Sequence, residues 1–276
     1  MPTRQESRAN LPRNIALLGA ALWLAPACKP DPPIVITATE YAFSGPDTVR
    51  SGLVTLRMVN AGQEPHQAGV VRIDGPRTPT EIAAGLESSA PPPWMQFVGG
   101  PDAVNPGDTA SATQLLAPGT YVLVCFLPSP DGTMHWEKGM IRTLVVQGAN
   151  PAAASTLAGD DTLSLGDYSF TLAHPLRAGT HTIYVENDGP QLHEVMVLSL
   201  APGKAVRDLV AWSSHSMPGP LPARPFGGLV TLAAGKTAAF TLTLARGSYV
   251  LVCFIPDKKD GRSHVLHGMV QEIRVE

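Results

Sequence analysis

The chain has 276 residues, 44% of them hydrophobic and only 16% charged, which is enough apolar material for a real core and excludes wholesale disorder. Lys plus Arg number 20 and Asp plus Glu 23, a net charge of −3 without a basic tract. That excludes the clustered cations a nucleic-acid partner requires. Gly (26) and Pro (27) are too frequent for long helices, so the composition predicts many short strands joined by turns.

In chain order, Arg4, Arg8 and Arg13 precede an apolar run over 15–24, and Ala25-Pro26-Ala27-Cys28 follows. A charged start, a short apolar stretch and a small-residue exit predict an export signal over 1–27. The run is short for a spanning helix. Cys28 after Ala27 resembles a bacterial lipoprotein processing site, with Ala25 standing where Leu is usual, and plain signal cleavage is the competing reading. Lipid on Cys28 would anchor the protein to a membrane. Residues 28–33, rich in Pro, read as a stiff tether.

From residue 34 the chain is written twice. Leu116-Ala-Pro-Gly-Thr-Tyr-Val-Leu-Val-Cys-Phe-Leu-Pro128 matches Leu244-Ala-Arg-Gly-Ser-Tyr-Val-Leu-Val-Cys-Phe-Ile-Pro256 at ten of thirteen positions. Tyr41-Ala-Phe43 matches Tyr168-Ser-Phe170, Asn60-Ala-Gly62 matches Asn187-Asp-Gly189, and Gly99-Gly100 matches Gly227-Gly228. A near-constant offset over more than a hundred residues marks two copies of one domain, 34–148 and 161–276, with a small polar linker at 149–160. Strands are predicted at 34–39, 53–60, 68–73, 121–126 and 141–147, and again at 180–187, 194–200, 249–254 and 270–275. One helix interrupts each copy. Thr78-Pro79-Thr80-Glu81 is a capping box opening 81–86, and 203–212 carries its counterpart. The expected fold is all-β: two tandem Greek-key β-sandwiches, each with one short helical insertion.

Three Cys are present, and processing accounts for Cys28. Cys125 and Cys253 occupy equivalent places, where a disulfide, a buried small hydrophobe and a metal thiolate are all open readings. The residues accompanying them bear on the choice. Copy 1 offers His66, Cys125, His135 and Met140; copy 2 offers His193, Cys253, His264 and Met269, in the same order. Two imidazoles, a thiolate and a thioether are the donor set of a blue-copper centre. His174, His181 and His215 read as solvated polar residues. His267 stands where copy 1 has Lys138, which argues against its being a shared ligand.

These elements resemble the cupredoxin family over nearly all of 34–276. The Asn-x-Gly-x-x-x-His element, Asn60 to His66 and Asn187 to His193, resembles the loop giving that family's first His ligand. Cys125 with His135-Trp-Glu-Lys-Gly-Met140, and Cys253 with His264-Val-Leu-His-Gly-Met269, resemble its closing ligand loop. The resemblance implies one mononuclear copper per domain, with Met140 and Met269 as weak axial ligands, and electron transfer with a redox protein partner. The step from Cys to His is longer here than is usual in the family. Asp131-Gly132 and Asp260-Gly261 predict turns that fold each insertion back onto the site. An enzyme is not expected. Multicopper oxidases and copper nitrite reductases place a His beside the copper Cys, whereas here the neighbours are Val124, Phe126, Val252 and Phe254, and the chain has no His-x-His pair. The sequence thus predicts an exported, periplasmic or lipid-anchored copper carrier. A copper-handling protein without electron transfer and a metal-free scaffold module are the competing readings.

Overall fold

The computed structural model describes residues 1–3, 31–88, 90–149, 156–214 and 219–276. Most of the expected signal, Cys28 with the start of the tether, the middle of the linker and His215 lie outside the described residues. Copy 1 runs β1 (Ile34–Thr39), β2 (Ala42–Ser44), β3 (Thr48–Arg50), β4 (Gly52–Asn60), β5 (Gly69–Ile73), α1 (Pro79–Glu87), β6 (Met95–Phe97), β7 (Thr109–Leu116), β8 (Gly119–Val124) and β9 (Ile141–Gln147). Copy 2 runs β10 (Asp161–Gly166), β11 (Ser169–Leu172), β12 (Gly179–Asn187), β13 (His193–Leu200), α2 (Val206–Ser214), β14 (Ala223–Leu232), β15 (Thr237–Leu244), β16 (Gly247–Val252), a 3-10 turn (His264–His267) and β17 (Val270–Val275).

Each copy is a sandwich of two sheets. In copy 1, β2-β1-β4-β7 faces β3-β9-β8-β5-β6; in copy 2, β11-β10-β12-β15 faces β14-β13-β16-β17. The chain crosses between sheets after β4 and β7, and after β12 and β15, which gives the Greek-key connection. Alternation selects the inward faces. Val54, Leu56 and Met58 of β4 are buried against Tyr121 and Leu123 of β8 and Leu144 and Val146 of β9. Each such side chain contributes about 1.5–3 kcal/mol by leaving water. α1 begins at Pro79 behind a complete capping box, with Glu81 N–H donating to Thr78 Oγ1 and Thr78 N–H to Glu81 Oε2. α2 starts at Val206 rather than 203, because Gly203 turns the chain at φ 77° and Asp208 reaches back to accept from Ala205 N–H.

The two copies are joined by a seam with the pattern of a two-fold interface. β7 and β15, equivalent strands, pair antiparallel with Ala112 opposite its own counterpart Phe240, fusing two sheets into one of eight strands. Beside them, Pro101 bridges its own counterpart Leu229, while Val98 bridges Leu232 and Val104 bridges Phe226, a reciprocal pair. Gly99 N–H donates to Thr231 O and Gly227 N–H to Ala103 O. A surface that meets its own copy in this way is the isologous arrangement of a symmetric dimer, here within one chain.

Candidate metal centres

The Asn-x-Gly element forms the same loop in both copies. Asn60 is fully buried; its Oδ1 accepts from Gly62 N–H, and its Nδ2 donates to Glu64 O and Val104 O. Asn187 does the same with Gly189, Gln191 and Leu232. The glycine is required by what lies over it. A Cβ at Gly62 would stand 2.7 Å from His66 Nε2 and against Glu40, and one at Gly189 would stand 2.6 Å from His193 Nε2. The loop therefore aims one imidazole inward, backed by a carboxylate.

The long insertions fold back, which settles the geometry the Asp-Gly turns predict. His135 N–H donates to Leu127 O and Trp136 N–H to Cys125 O, while Ser129 N–H donates to Thr133 O across the hairpin. In copy 2, His264 N–H donates to Ile255 O, Val265 N–H to Cys253 O and Asp257 N–H to Arg262 O. Each insertion is thus a side excursion that returns the second His to the Cys it left.

The result is two buried triads, His66–Cys125–His135 and His193–Cys253–His264, each with its donor atoms within 4.8 Å of one another. Cys125 Sγ lies 3.3 Å from His135 Nδ1, and His66 Nδ1 lies 3.1 Å from His135 Nδ1. Cys253 Sγ lies 3.4 Å from His264 Nδ1. Both cysteines are free, so the disulfide reading falls. Met140 and Met269 are 0% exposed, in the same core clusters as Cys125 and Cys253. Cys125 N–H donates to Met140 O, and Met140 N–H to His135 O; Cys253, Met269 and His264 repeat the pattern.

Protonation states follow from burial. Desolvation lowers the pKa of His66, His135 and His193, and takes His264 down to about 4, with the charge of His193 adding to the effect. All four imidazoles are therefore neutral near pH 7, the state that ligates metal. Burial pushes the Cys125 thiol up to about 12, opposed by backbone N–H groups of Gln67 and Leu127, and raises Cys253 well above its usual value. The donor set fits copper: thiolate suits Cu(I), imidazole suits Cu(II), and the buried His193 Nδ1 has no hydrogen-bond partner in the protein.

Behind the imidazoles stand residues the sequence reading passed over. His66 Nε2 lies 3.2 Å from Glu40 Oε1, His135 Nε2 lies 2.9 Å from Glu64 Oε2, and His193 Nε2 lies 2.9 Å from Asp167 Oδ1. Such partners fix ring orientation and raise ligand basicity. An acid precedes the repeated Tyr in both copies, Glu40-Tyr41 and Asp167-Tyr168, and that was the available signal. A third group, Asp257–Asp260–His267, also comes together. Its His267–Asp260 contact, 3.2 Å, sits where copy 1 has the Lys138–Asp131 ion pair, so it reads as a surface hydrogen bond.

Among the other histidines, His174 is exposed beside Asp161, and His181 contacts Arg177 O. No helix among the described residues is long and apolar enough to cross a membrane.

No family model and no curated protein matches this chain. Solved structures do. An auracyanin from Roseiflexus castenholzii is similar at 21% identity, covering 42% of this chain and 97% of its own (TM-score 0.32). A blue copper oxidase from Nitrosomonas europaea is similar at 16% identity over 87% of this chain and 85% of its own (TM-score 0.25). A copper nitrite reductase from the same organism is similar at 15% over 88% and 93% (TM-score 0.24). The similar structures thus include enzymes as well as an auracyanin. The class of this chain follows from its own sheets and donors: a tandem all-β protein with two buried His–Cys–His groups.

Proposed function

We propose that this chain is an exported tandem blue-copper protein that carries single electrons. Each copy holds one copper, by His66, Cys125, His135 and Met140 and by His193, Cys253, His264 and Met269. The observation that carries this reading is the convergence of two neutral imidazoles and one thiol, twice, in sites closed to solvent. Copper held there would supply a one-electron couple between Cu(I) and Cu(II). The protein holds geometry through the Asn60 and Asn187 loops and excludes water with the returning insertions. Each thiol gives up its proton when metal enters, while backbone N–H groups of Gln67 and Glu194 point at the sulfurs.

Carriage rather than catalysis is supported by the apolar residues beside each Cys, Val124, Phe126, Val252 and Phe254, which offer no bridge to a second copper site. Metal analysis and an absorption spectrum of the mature protein test the reading. Two coppers per chain and a band at about 600 nm, as for thiolate-ligated Cu(II), are expected. Cu(I) binding without colour would favour a copper-handling protein, no binding would favour a scaffold, and oxygen or nitrite consumption would favour an enzyme. The partner on this reading is a redox protein, and the compartment is the periplasm. If Cys28 carries lipid, Cys28→Ser moves the protein from the detergent phase to the aqueous phase; unchanged aqueous partitioning of both forms indicates an ordinary cleaved signal.

A further inference from the structure

We infer that the two centres are unequal, with the copy 1 centre the more reducing and the copy 2 centre the electron's resting place, because carboxylates back both imidazoles in copy 1 and only one in copy 2. The inference rests on the copper reading above and concerns this chain's own residues around each imidazole.

In copy 1 both outward nitrogens are engaged, His66 Nε2 by Glu40 and His135 Nε2 by Glu64. Glu40 is held in place there, because its Oε1 also accepts from Gln63 N–H and from Glu64 N–H at 2.9 Å. In copy 2 Asp167 engages His193, but the buried His264 Nε2 has no hydrogen-bond partner. The nearest carboxylate oxygen, Asp257 Oδ2, is 3.8 Å away and already accepts from Tyr168 Oη at 2.5 Å and Gln191 Nε2 at 2.9 Å.

The sequence shows how this arose. Glu64 of copy 1 corresponds to Gln191 of copy 2, and Ser129 of copy 1 corresponds to Asp257. The carboxylate has changed places between the two positions, and in doing so it has left the imidazole. Ser129 in copy 1 donates to Tyr41 instead, and Tyr41 to Glu64. A carboxylate accepting Nε2–H pushes negative charge onto the ring and makes Nδ1 a stronger donor. Stronger donation favours the more highly charged Cu(II) over Cu(I), which lowers the potential. Nearby charges do not undo the difference. Lys138 in copy 1 is paired with Asp131 at 2.7 Å, and His267 in copy 2 with Asp260. Glu194, beside Cys253, is buried and accepts from Phe254 N–H at 2.8 Å rather than from an imidazole.

The test is a potentiometric titration of the copper-loaded protein followed by absorption and electron paramagnetic resonance, with the waves assigned from Cys125→Ser and Cys253→Ser. Two one-electron waves are expected, the copy 1 wave lower by at least a tenfold Cu(II)/Cu(I) affinity ratio, which is about 59 mV. Glu64→Gln, which installs the residue copy 2 already carries, should raise the copy 1 wave toward the other when the variant is titrated loaded with copper. Coincident waves, the reverse order, or an unmoved copy 1 wave in Glu64→Gln would overturn the inference while the copper reading stands. Failure of the wild-type protein to bind two coppers would overturn both.

Discussion

At the seam, copy 1 contributes Asp102 where copy 2 contributes Val230, and copy 2 contributes Glu194 where copy 1 contributes Gln67. The backbone around these positions is nevertheless matched bond for bond. Asp102 N–H donates to Gly228 O, and Val230 N–H donates to Gly100 O. Around the imidazoles the same contrast holds, with equivalent loops carrying carboxylates at different positions. The lesson is that duplication has preserved main-chain geometry while the charges have diverged. The ligands are positioned by the first and tuned by the second, so the copies should respond alike to backbone changes and differently to charge changes.

The largest effect tests whether the copies are independent. Each triad is built within one copy, so Cys125→Ser should reduce bound copper from two per chain to one, and Cys253→Ser should remove the other. The double variant should be colourless and folded, because Ser is nearly isosteric with Cys, although burying its hydroxyl unpaired costs about 1–3 kcal/mol. Metal analysis with circular dichroism checks all three proteins. Loss of both coppers from either single change would show one centre shared across the seam.

Gly100 and Gly228 offer a symmetric test of the backbone. Their φ angles are 122° and 131°, and a Cβ at either would strike a carbonyl oxygen, Ala68 O or Val195 O. Gly100→Ala and Gly228→Ala should each destabilise the protein by about 3 kcal/mol or more, through left-handed strain together with backbone displacement. Urea denaturation should give closely similar losses. A large loss at only one position would break the two-fold description of the seam.

Charge at the seam predicts a pH response. Asp102 and Glu194 are both buried; desolvation raises Asp102 well above the usual carboxylate range, with the charge of Glu194 adding to it, and takes Glu194 up to about 7. Below about pH 3 both groups are protonated in the folded and unfolded chain alike, and nothing is lost. As pH rises the unfolded carboxyls ionise first, so the pair subtracts stability from there through neutrality. The buried imidazoles, whose folded values are depressed, act the other way and add stability up to their ordinary value of about 6.5. Comparing the metal-free protein with Asp102→Asn at each pH cancels the imidazole contribution. The variant should gain in urea midpoint relative to the parent between pH 5 and 8, and a constant difference would show the pair does not titrate.

How much of this was written in the sequence depends on which interaction does the work. The repeat, the triads and most strands were legible because ligand order and β-branched runs are local patterns. β7 and β15 were not anticipated, since Ala110, Ala112, Ala238 and Ala239 are buried but too small to give a hydrophobic signal. β14 also went unpredicted. From Gly227 to Leu232 every residue is buried, because the other copy packs along it, and alternation disappears. The carboxylates behind the imidazoles were hidden for a different reason. Glu40 and His66 are 26 residues apart, and only the folded loop brings them together. The insertions were half legible: Asp131-Gly132 and Asp260-Gly261 announced turns, but the return bonds to Leu127 O and Ile255 O are tertiary facts.

The smallest effect concerns the two helices, which sit at equivalent points of the copies and are started differently. α1 has both halves of a capping box, Thr78 with Glu81, whereas α2 has Asp208 reaching back to Ala205 N–H. In Thr78→Ala the Glu81 carboxylate still reaches Thr78 N–H, but the donor at Glu81 N–H loses its acceptor. The site is exposed, so water replaces part of what is lost, and the cost should be about 1 kcal/mol. Asp208→Asn keeps a hydrogen-bonding oxygen in α2 and gives up only the charge in the first turn, worth about 0.3–1 kcal/mol. Neither helix carries a donor atom of the triads, so copper content and colour should be unchanged in both variants. A change in copper content from Thr78→Ala would show that α1 positions the copy 1 centre, which its contacts with Trp94 and the outer face of β5 do not suggest.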